Sequence, residues 1–390
     1  MATKRKQLIF WIVYLAYTSI YMARVNLSMA GPDMIDEGIL DTVQLGLLGS
    51  VFSTLYSVGR LINGGLSDKT PPWVMLTTGL AVAGLSNILI GFFPPFIGIF
   101  ILWTTNAYAQ SMLWSSVLCV VAGIYDQETA KKKTSVMVSS VATGNILAII
   151  ITTALITKLG LRFAFVVPGA ITIALGIAVF FTTRCINPDV KVEKSHISMW
   201  ELIKDREIAL MCIPSMFHGV MKENISLWMT VYVVDTYFVD LSTSSYYILL
   251  IPILGFIGRT IYPAVYKMCK NKENTVSASG FVICLASALM LCFSGVGMIA
   301  SVLALSLIYA AVSMINTSML SIYPIRYVDT GNVASVSGIM DFATYLGGGV
   351  ASFIYGIVIK NFGYMPMFVS WAVISVISTI VLRIVSDKKA

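Results

Sequence analysis

Twelve runs of about twenty mostly apolar residues follow one another along this chain, and no other feature restricts its fold as strongly. A helix that crosses a bilayer needs about 20 such residues. The runs lie at about 8–30, 44–67, 73–93, 96–124, 134–158, 162–183, 207–234, 244–266, 275–293, 297–324, 332–359 and 364–384. Of the 390 residues, 57% are hydrophobic and only 12% charged, against roughly 25% charged in a soluble domain. Mean hydropathy is +0.84. These values define a polytopic, all-α membrane protein. The opening MATKRK and the apolar run after it imitate a signal peptide. The run exceeds the usual signal core of about 7–15 residues and carries Arg24 late, so it is expected to be the first membrane helix.

Basic residues orient the spans. Of the 26 Lys and Arg, nineteen fall at the termini or in the even-numbered connections, and three (Lys158, Arg162, Lys360) fall in the odd-numbered ones. Positive charge collects in cytoplasmic loops. The asymmetry therefore predicts cytoplasmic termini and a cytoplasmic central loop; the expected location is the cell inner (plasma) membrane. Lys131–Lys133 are read as part of that orientation signal. The net charge of +7 is explained in the same way and implies no nucleic acid. Four basic residues remain inside spans: Arg24, Arg60, Lys222 and Arg259.

The two halves of the chain echo each other. Arg24-Val-Asn-Leu-Ser28 reads basic-x-Asn-x-Ser, and so does Lys222-Glu-Asn-Ile-Ser226. Gly59-Arg60 recurs as Gly258-Arg259, and Ser135-Val136 as Ser335-Val336, at a nearly constant offset. A duplication divides the chain into a six-helix half over 1–183, a cytoplasmic linker over 184–206 and a second six-helix half over 207–390. Two parallel six-helix repeats are the architecture of the major facilitator fold, whose substrates bind near the midplane.

A charged residue facing lipid costs from about 2.5 to above 10 kcal/mol, so each of the four needs a reason. Arg60 and Arg259 lie nearer the cytoplasmic ends of their spans, where snorkelling is available. Arg24 and Lys222 stand about 15 residues in, roughly 22 Å at 1.5 Å per residue. One reading is a structural ion pair with Glu223 or Asp341. The other is an anion site. Tyr14, Tyr17, Tyr21, Arg24 and Ser28 step by three and four and so share a helix face, as do His218, Lys222 and Ser226. Such stripes suit a cavity. A phosphate monoester brings about −1.5 to −2 charge and three acceptor oxygens, matched by an arginine fork and a lysine point charge.

The chain resembles the organophosphate:inorganic phosphate antiporter family, the glycerol-3-phosphate and hexose-phosphate exchangers. Tyr17, Tyr21, Arg24 and Asn26 match its first-helix pattern, in which the arginine binds phosphate. Gly59-Arg60 and the following GGLSDK, with Asp68, match its second helix. Gln110-Ser-Met-Leu-Trp114 resembles its fourth-helix Gln-x-x-x-Trp. Lys222, with Trp228 beyond it, falls where the family has its second phosphate-binding arginine, and Tyr345-Leu-Gly-Gly resembles its eleventh helix. There are departures. Lys replaces Arg at 222, no histidine stands near Val141, Leu227 occupies an acid's place, and Glu223 is new. Asp341 falls where some hexose-phosphate members carry an acid; it either accepts from sugar hydroxyls or pairs with Lys222.

The resemblance implies a secondary transporter, expected to be a monomer, that exchanges an organic phosphate ester for inorganic phosphate by alternating access. Arg24 and Lys222 would contact phosphate, with Arg60, Tyr17, Tyr21, Gln110, Trp114, His218 and Asp341 lining the cavity. Glu223, Asp68 and Arg259 would serve coupling or gating. The alternatives are a carrier of nitrate or a carboxylate, or a transporter-like sugar-phosphate sensor. No nucleotide loop, nucleophile elbow or catalytic carboxylate pair is present, so no enzyme and no cofactor are expected. Six Cys without paired spacing and two His give no metal site or disulfide framework.

Overall fold

The computed structural model describes residues 3–67, 70–184, 199–293, 295–327 and 332–385. Asp68 and most of the expected 184–206 linker lie outside the described residues. Almost everything described is helix. The first part of the chain forms α1 (Thr3–Asp36), α2 (Thr42–Ser67), α3 (Pro72–Ile90), α4 (Phe96–Ser111), α5 (Leu113–Ile124), α6 (Gln127–Leu159) and α7 (Phe163–Thr183). After the short α8 (Met199–Lys204) come α9 (Arg206–Tyr237), α10 (Leu241–Ile248), α11 (Leu250–Met268), α12 (Glu273–Leu291), α13 (Met298–Thr317), α14 (Val333–Phe362) and α15 (Met365–Ile384).

The ends of these helices are written in the sequence. Asp126 caps α6 by accepting from the Thr129 N–H at 3.0 Å, and Asp205 caps α9 by accepting from Glu207 and Ile208 at 2.8 and 3.1 Å. Pro71 and Pro95 immediately precede α3 and α4. Gly160 (φ 99°) and Gly363 (φ 72°) stop α6 and α14 in a backbone region that favours glycine.

Three expected spans are not continuous α-helices. The run at 96–124 breaks at Met112, where Ser111 Oγ donates to the Tyr108 carbonyl at 2.6 Å and Ser116 Oγ to the Met112 carbonyl at 2.8 Å; such back-bonding bends helices. The run at 244–266 begins earlier, at Leu241, and breaks at Leu249. Pro252 has no N–H to offer the Ile248 carbonyl. The run at 297–324 leaves α13 through a π-helical turn (Ser318–Ile322) and a 3-10 turn (Tyr323–Tyr327). Pro324 likewise cannot donate to Leu320, and the freed carbonyl accepts from Ser337 Oγ of α14 at 2.9 Å. Beyond it Arg326 joins Glu207, at 3.1 Å, to Glu273.

Eleven helical segments among the described residues are long and apolar enough to cross a membrane. The expected seventh span is unbroken helix as α9 but is not among them, because His218, Lys222, Glu223 and Asn224 lower the hydropathy of its middle. Large apolar side chains such as Trp11, Ile97, Phe181 and Ile380 are exposed, as lipid-facing positions would be.

The chain clusters into two compact units. One holds Met1–Gln44, Leu55–Val192 and Asp240–Ser245; the other holds Leu45–Thr54, Glu193–Val239 and Tyr246–Ala390. Part of α2 and the start of α10 thus fall outside a strict division into 1–183 and 207–390. In the first unit α1 packs on α6 and α7, and α3 on α4, α5 and α7. In the second, α9 packs on α13, α14 and α15, α11 on α13, and α12 on α13 and α15.

Glycines set the closest crossings. A Cβ on Gly59 would stand 2.2 Å from Ser111 Oγ of α4, and one on Gly258 would stand 2.3 Å from the Ala310 carbonyl oxygen of α13. The repeated Gly-Arg dipeptide therefore has one physical meaning in both units: the glycine is pressed against a neighbouring helix, and the arginine takes the next position round. Among the described glycines, Gly219 on α9 makes a very tight approach: a Cβ there would lie 1.8 Å from the Thr344 oxygen of α14.

Candidate substrate-binding site

In the first unit the stripe on α1 divides by depth. Tyr14 is tied to α6, its hydroxyl 3.1 Å from both Ser139 Oγ and Thr143 Oγ1. One turn on, the Tyr17 ring lies 5.2 Å from Trp114 and 5.9 Å from Tyr21. Tyr21 has room because Gly144 of α6 lacks a side chain; a Cβ there would be 2.8 Å from the tyrosine Cβ. Arg24 and Arg60 are half-buried. Their guanidinium carbons stand 5.1 and 5.9 Å from the centroid of one ring, that of Tyr56. A cation held over an aromatic face is attracted by about 0.5–2 kcal/mol. Tyr56 joins two basic residues from different helices, and the sequence reading missed it. Its signal was present: it precedes Arg60 by one helical turn.

Gln110 ties its helix to α1. It is buried, and its Nε2 donates to Asn106 Oδ1 at 3.0 Å and to the Ala23 carbonyl at 3.4 Å. Asn87 and Asn106 donate to the same carbonyl, each at 3.1 Å. Asn26 donates to Asn87 at 2.8 Å and to the Ala164 carbonyl at 3.0 Å. Four amides from α1, α3 and α4 thus converge next to Arg24 and tie α1 to α3, α4 and α7, which holds the arginine at one depth and rotation. Asn106→Leu should cost about 1 kcal/mol of stability, because it takes the acceptor from Gln110; a thermal-shift measurement in detergent would read it as a lowered melting temperature.

In the second unit Lys222 Nζ lies 3.1 Å from Glu223 Oε1 and 4.8 Å from the Tyr345 ring centroid. His218 is fully buried, and neither ring nitrogen has a well-aligned hydrogen bond. Its polar surroundings are the main chain at Val312 and Ser215, with Lys222 and Arg259 adding positive charge. Arg259 is half-buried, and its Nε has no hydrogen-bond partner. Asp341 is half-buried on α14 and shares a face with Tyr345 and Gly348 by its spacing. Asn224, the repeat counterpart of Asn26, donates to Val220 at 2.8 Å and to Gly348 at 3.3 Å. Ser226 is exposed and bonds back to the Lys222 carbonyl at 3.0 Å.

Each unit therefore brings a mid-span cation against an aromatic ring, inside a bundle whose exposed faces are apolar. Ionisable residues within membrane spans are rare and by default mark a substrate or ion pathway. The chain belongs to the Major Facilitator Superfamily, whose sequence profile matches residues 13–352. Its fold is similar to that of the nucleoside transporter NupG, with a TM-score of 0.81 at 12% identity over 98% of this chain and 100% of that one. In sequence it is 30% identical over 169 residues to a "Probable hexose phosphate transport protein" of Chlamydia muridarum (strain MoPn / Nigg). That match covers 43% of this chain and 37% of the relative, so the chain spans little more than a third of its length. The "Membrane sensor protein UhpC" of Escherichia coli (strain K12) is 22% identical over 312 residues, 72% of this chain and 70% of that protein.

Proposed function

We propose that this protein exchanges an organic phosphate ester for inorganic phosphate by alternating access, with both termini in the cytoplasm of a cell whose inner membrane it spans. Arg24 and Lys222 contact the phosphate. Arg60, Tyr17, Tyr21, Trp114 and Asp341 complete the cavity, His218 stands beside it, and Gln110 fixes the arginine's helix. The observation that carries the reading is the pair of aromatic-floored cations, Arg24 over Tyr56 and Lys222 over Tyr345, at matching positions of the repeat. An anion needs such charges, whereas a neutral solute would leave them without a ligand. The hexose phosphate relative supports the substrate class. Arg259, and Asp68 beyond the described residues, are assigned to gating.

Reconstitution in proteoliposomes preloaded with phosphate tests this. Labelled phosphate should exchange, and glucose-6-phosphate or glycerol-3-phosphate should compete where nitrate and gluconate do not. Failure of every phosphate compound to exchange would reject the reading. A second reading, a sugar-phosphate sensor on a transporter fold, is favoured by one observation: the match to the membrane sensor protein covers more of both chains than the hexose phosphate match does. A sensor would bind the ester in detergent yet show no exchange in vesicles.

A further inference from the structure

We infer that Glu223 is a tethered counter-ion, which an incoming phosphate must displace from Lys222. The inference rests on the anion-transport reading and adds to it a residue that sets affinity and its pH dependence.

Neighbouring residues on a helix do not ordinarily face each other. Lys222 and Glu223 nevertheless meet at 3.1 Å, with side chains only 18% and 10% exposed. Two features of α14 allow it. The Tyr345 ring receives the ammonium at 4.8 Å. Gly348 leaves space for the carboxylate stem, since a Cβ there would lie 2.6 Å from Glu223 Cγ. Further along the shared face of α14 stands Asp341, and on α9 itself His218; of the other helices packed on α9, α13 contains no charged residue or His, α15 carries Arg383 in its last turn, and α8 carries Glu201 and Lys204, near the start of α9. Arg259 adds its charge near His218.

The repeat shows that this arrangement is particular to the second unit. Lys222 corresponds to Arg24, so Glu223 corresponds to Val25. Moreover, α2, α3, α4, α5 and α7 contain no Asp or Glu, α6 has only Glu128 in its first turn, and those of α1 lie in its last turn. On its own helix the first cation is thus followed by an apolar residue, the second by a carboxylate. A phosphate dianion approaching Lys222 competes with Glu223 for one ammonium. Once displaced, the carboxylate is left in a poorly hydrated site next to another anion, where protonation relieves it. Phosphate and a proton should therefore bind with positive linkage.

The test is uptake of labelled inorganic phosphate by proteoliposomes holding wild-type protein or Glu223→Gln, with apparent affinity measured from about pH 8 to about pH 5. Near the upper limit the variant should bind about tenfold more tightly, since a charge-assisted bond need no longer be broken first. The ratio should not grow as pH falls, because any protonation of the carboxylate frees Lys222 in the wild-type protein as well. Phosphate's own ionisation is common to both proteins and cancels in the ratio. Glu223→Ala is the second variant, should the first not fold, and should shift affinity in the same direction. A pH-independent ratio near one overturns the inference. So does weaker binding by either variant, which would mean that the carboxylate supports the lysine's charge. Absence of exchange by the wild-type protein would instead overturn the transport reading, and this inference with it.

Discussion

Arg24→Gln should lower phosphate exchange by at least about thirtyfold while leaving a folded, monodisperse protein in detergent. Removing one partner of a poorly hydrated, hydrogen-bonded charge pair costs about 2–5 kcal/mol. Arg24 is the cation best placed to give a phosphate two parallel bonds, since a guanidinium forks where an ammonium does not. Its helix is held separately from it, by three amides on the Ala23 carbonyl. The substitution should therefore remove the ligand contact without releasing the helix. Arg24→Lys should retain part of the exchange, as charge without the fork. Lys222→Gln should weaken exchange less than Arg24→Gln, because Lys222 already shares its charge with Glu223. Equal protein incorporation and labelled phosphate counterflow are the measurements. Normal exchange by both the Arg24 and Lys222 variants would make those charges structural.

Gly219→Ala is expected to be the most damaging single methyl group in the second unit. The added carbon would stand 1.8 Å from the Thr344 carbonyl oxygen and 2.5 Å from its carbonyl carbon. Both atoms are backbone, so no rotamer change relieves the contact, and α9 and α14 must separate. Overpacking of a tight interior typically costs about 1–3 kcal/mol, and more where the backbone has to move. The expected result is loss of the monodisperse peak in size-exclusion chromatography or a large fall in thermal stability. Gly338→Ala on α14 is the control. A Cβ there meets nothing within 4 Å, and alanine is a better helix former than glycine by about 1 kcal/mol, so stability should hold or rise. The crossing at Gly219 also bears on function: one turn along α9 it brings Lys222 over Tyr345 and Glu223 against Gly348.

Much of this was legible from residue order. Apolar run length announces a spanning helix, because bilayer thickness and helical rise are both constants. A charge inside such a run is costly wherever it points, so Arg24, Arg60, Lys222 and Arg259 could be singled out without coordinates. Fixed-offset matches point to a duplication for the same reason: they need only counting. The breaks at Met112, Leu249 and after Thr317 were harder. Each depends on which carbonyl a serine or a missing proline N–H leaves wanting, and on whether a neighbouring helix supplies a donor, as Ser337 does for Leu320.

Side-chain partnership was the other limit. Periodicity puts Tyr17, Tyr21 and Arg24 on one face of α1, but it cannot say that Tyr56 of α2 comes to rest beside Arg24, or that the Gln110 amide nitrogen reaches the Ala23 carbonyl. Nor can it say that Glu223 comes to lie beside Lys222; helical geometry even argues against the adjacent residue. The structure pairs Lys222 with Glu223 because α14 offers a ring to one and a glycine gap to the other. Span number, repeat and buried charge follow from one-dimensional quantities, hydrophobicity and spacing, that hold before any helix touches another. The partners of those charges depend on distances between residues far apart in the chain, which exist only once the helices have packed.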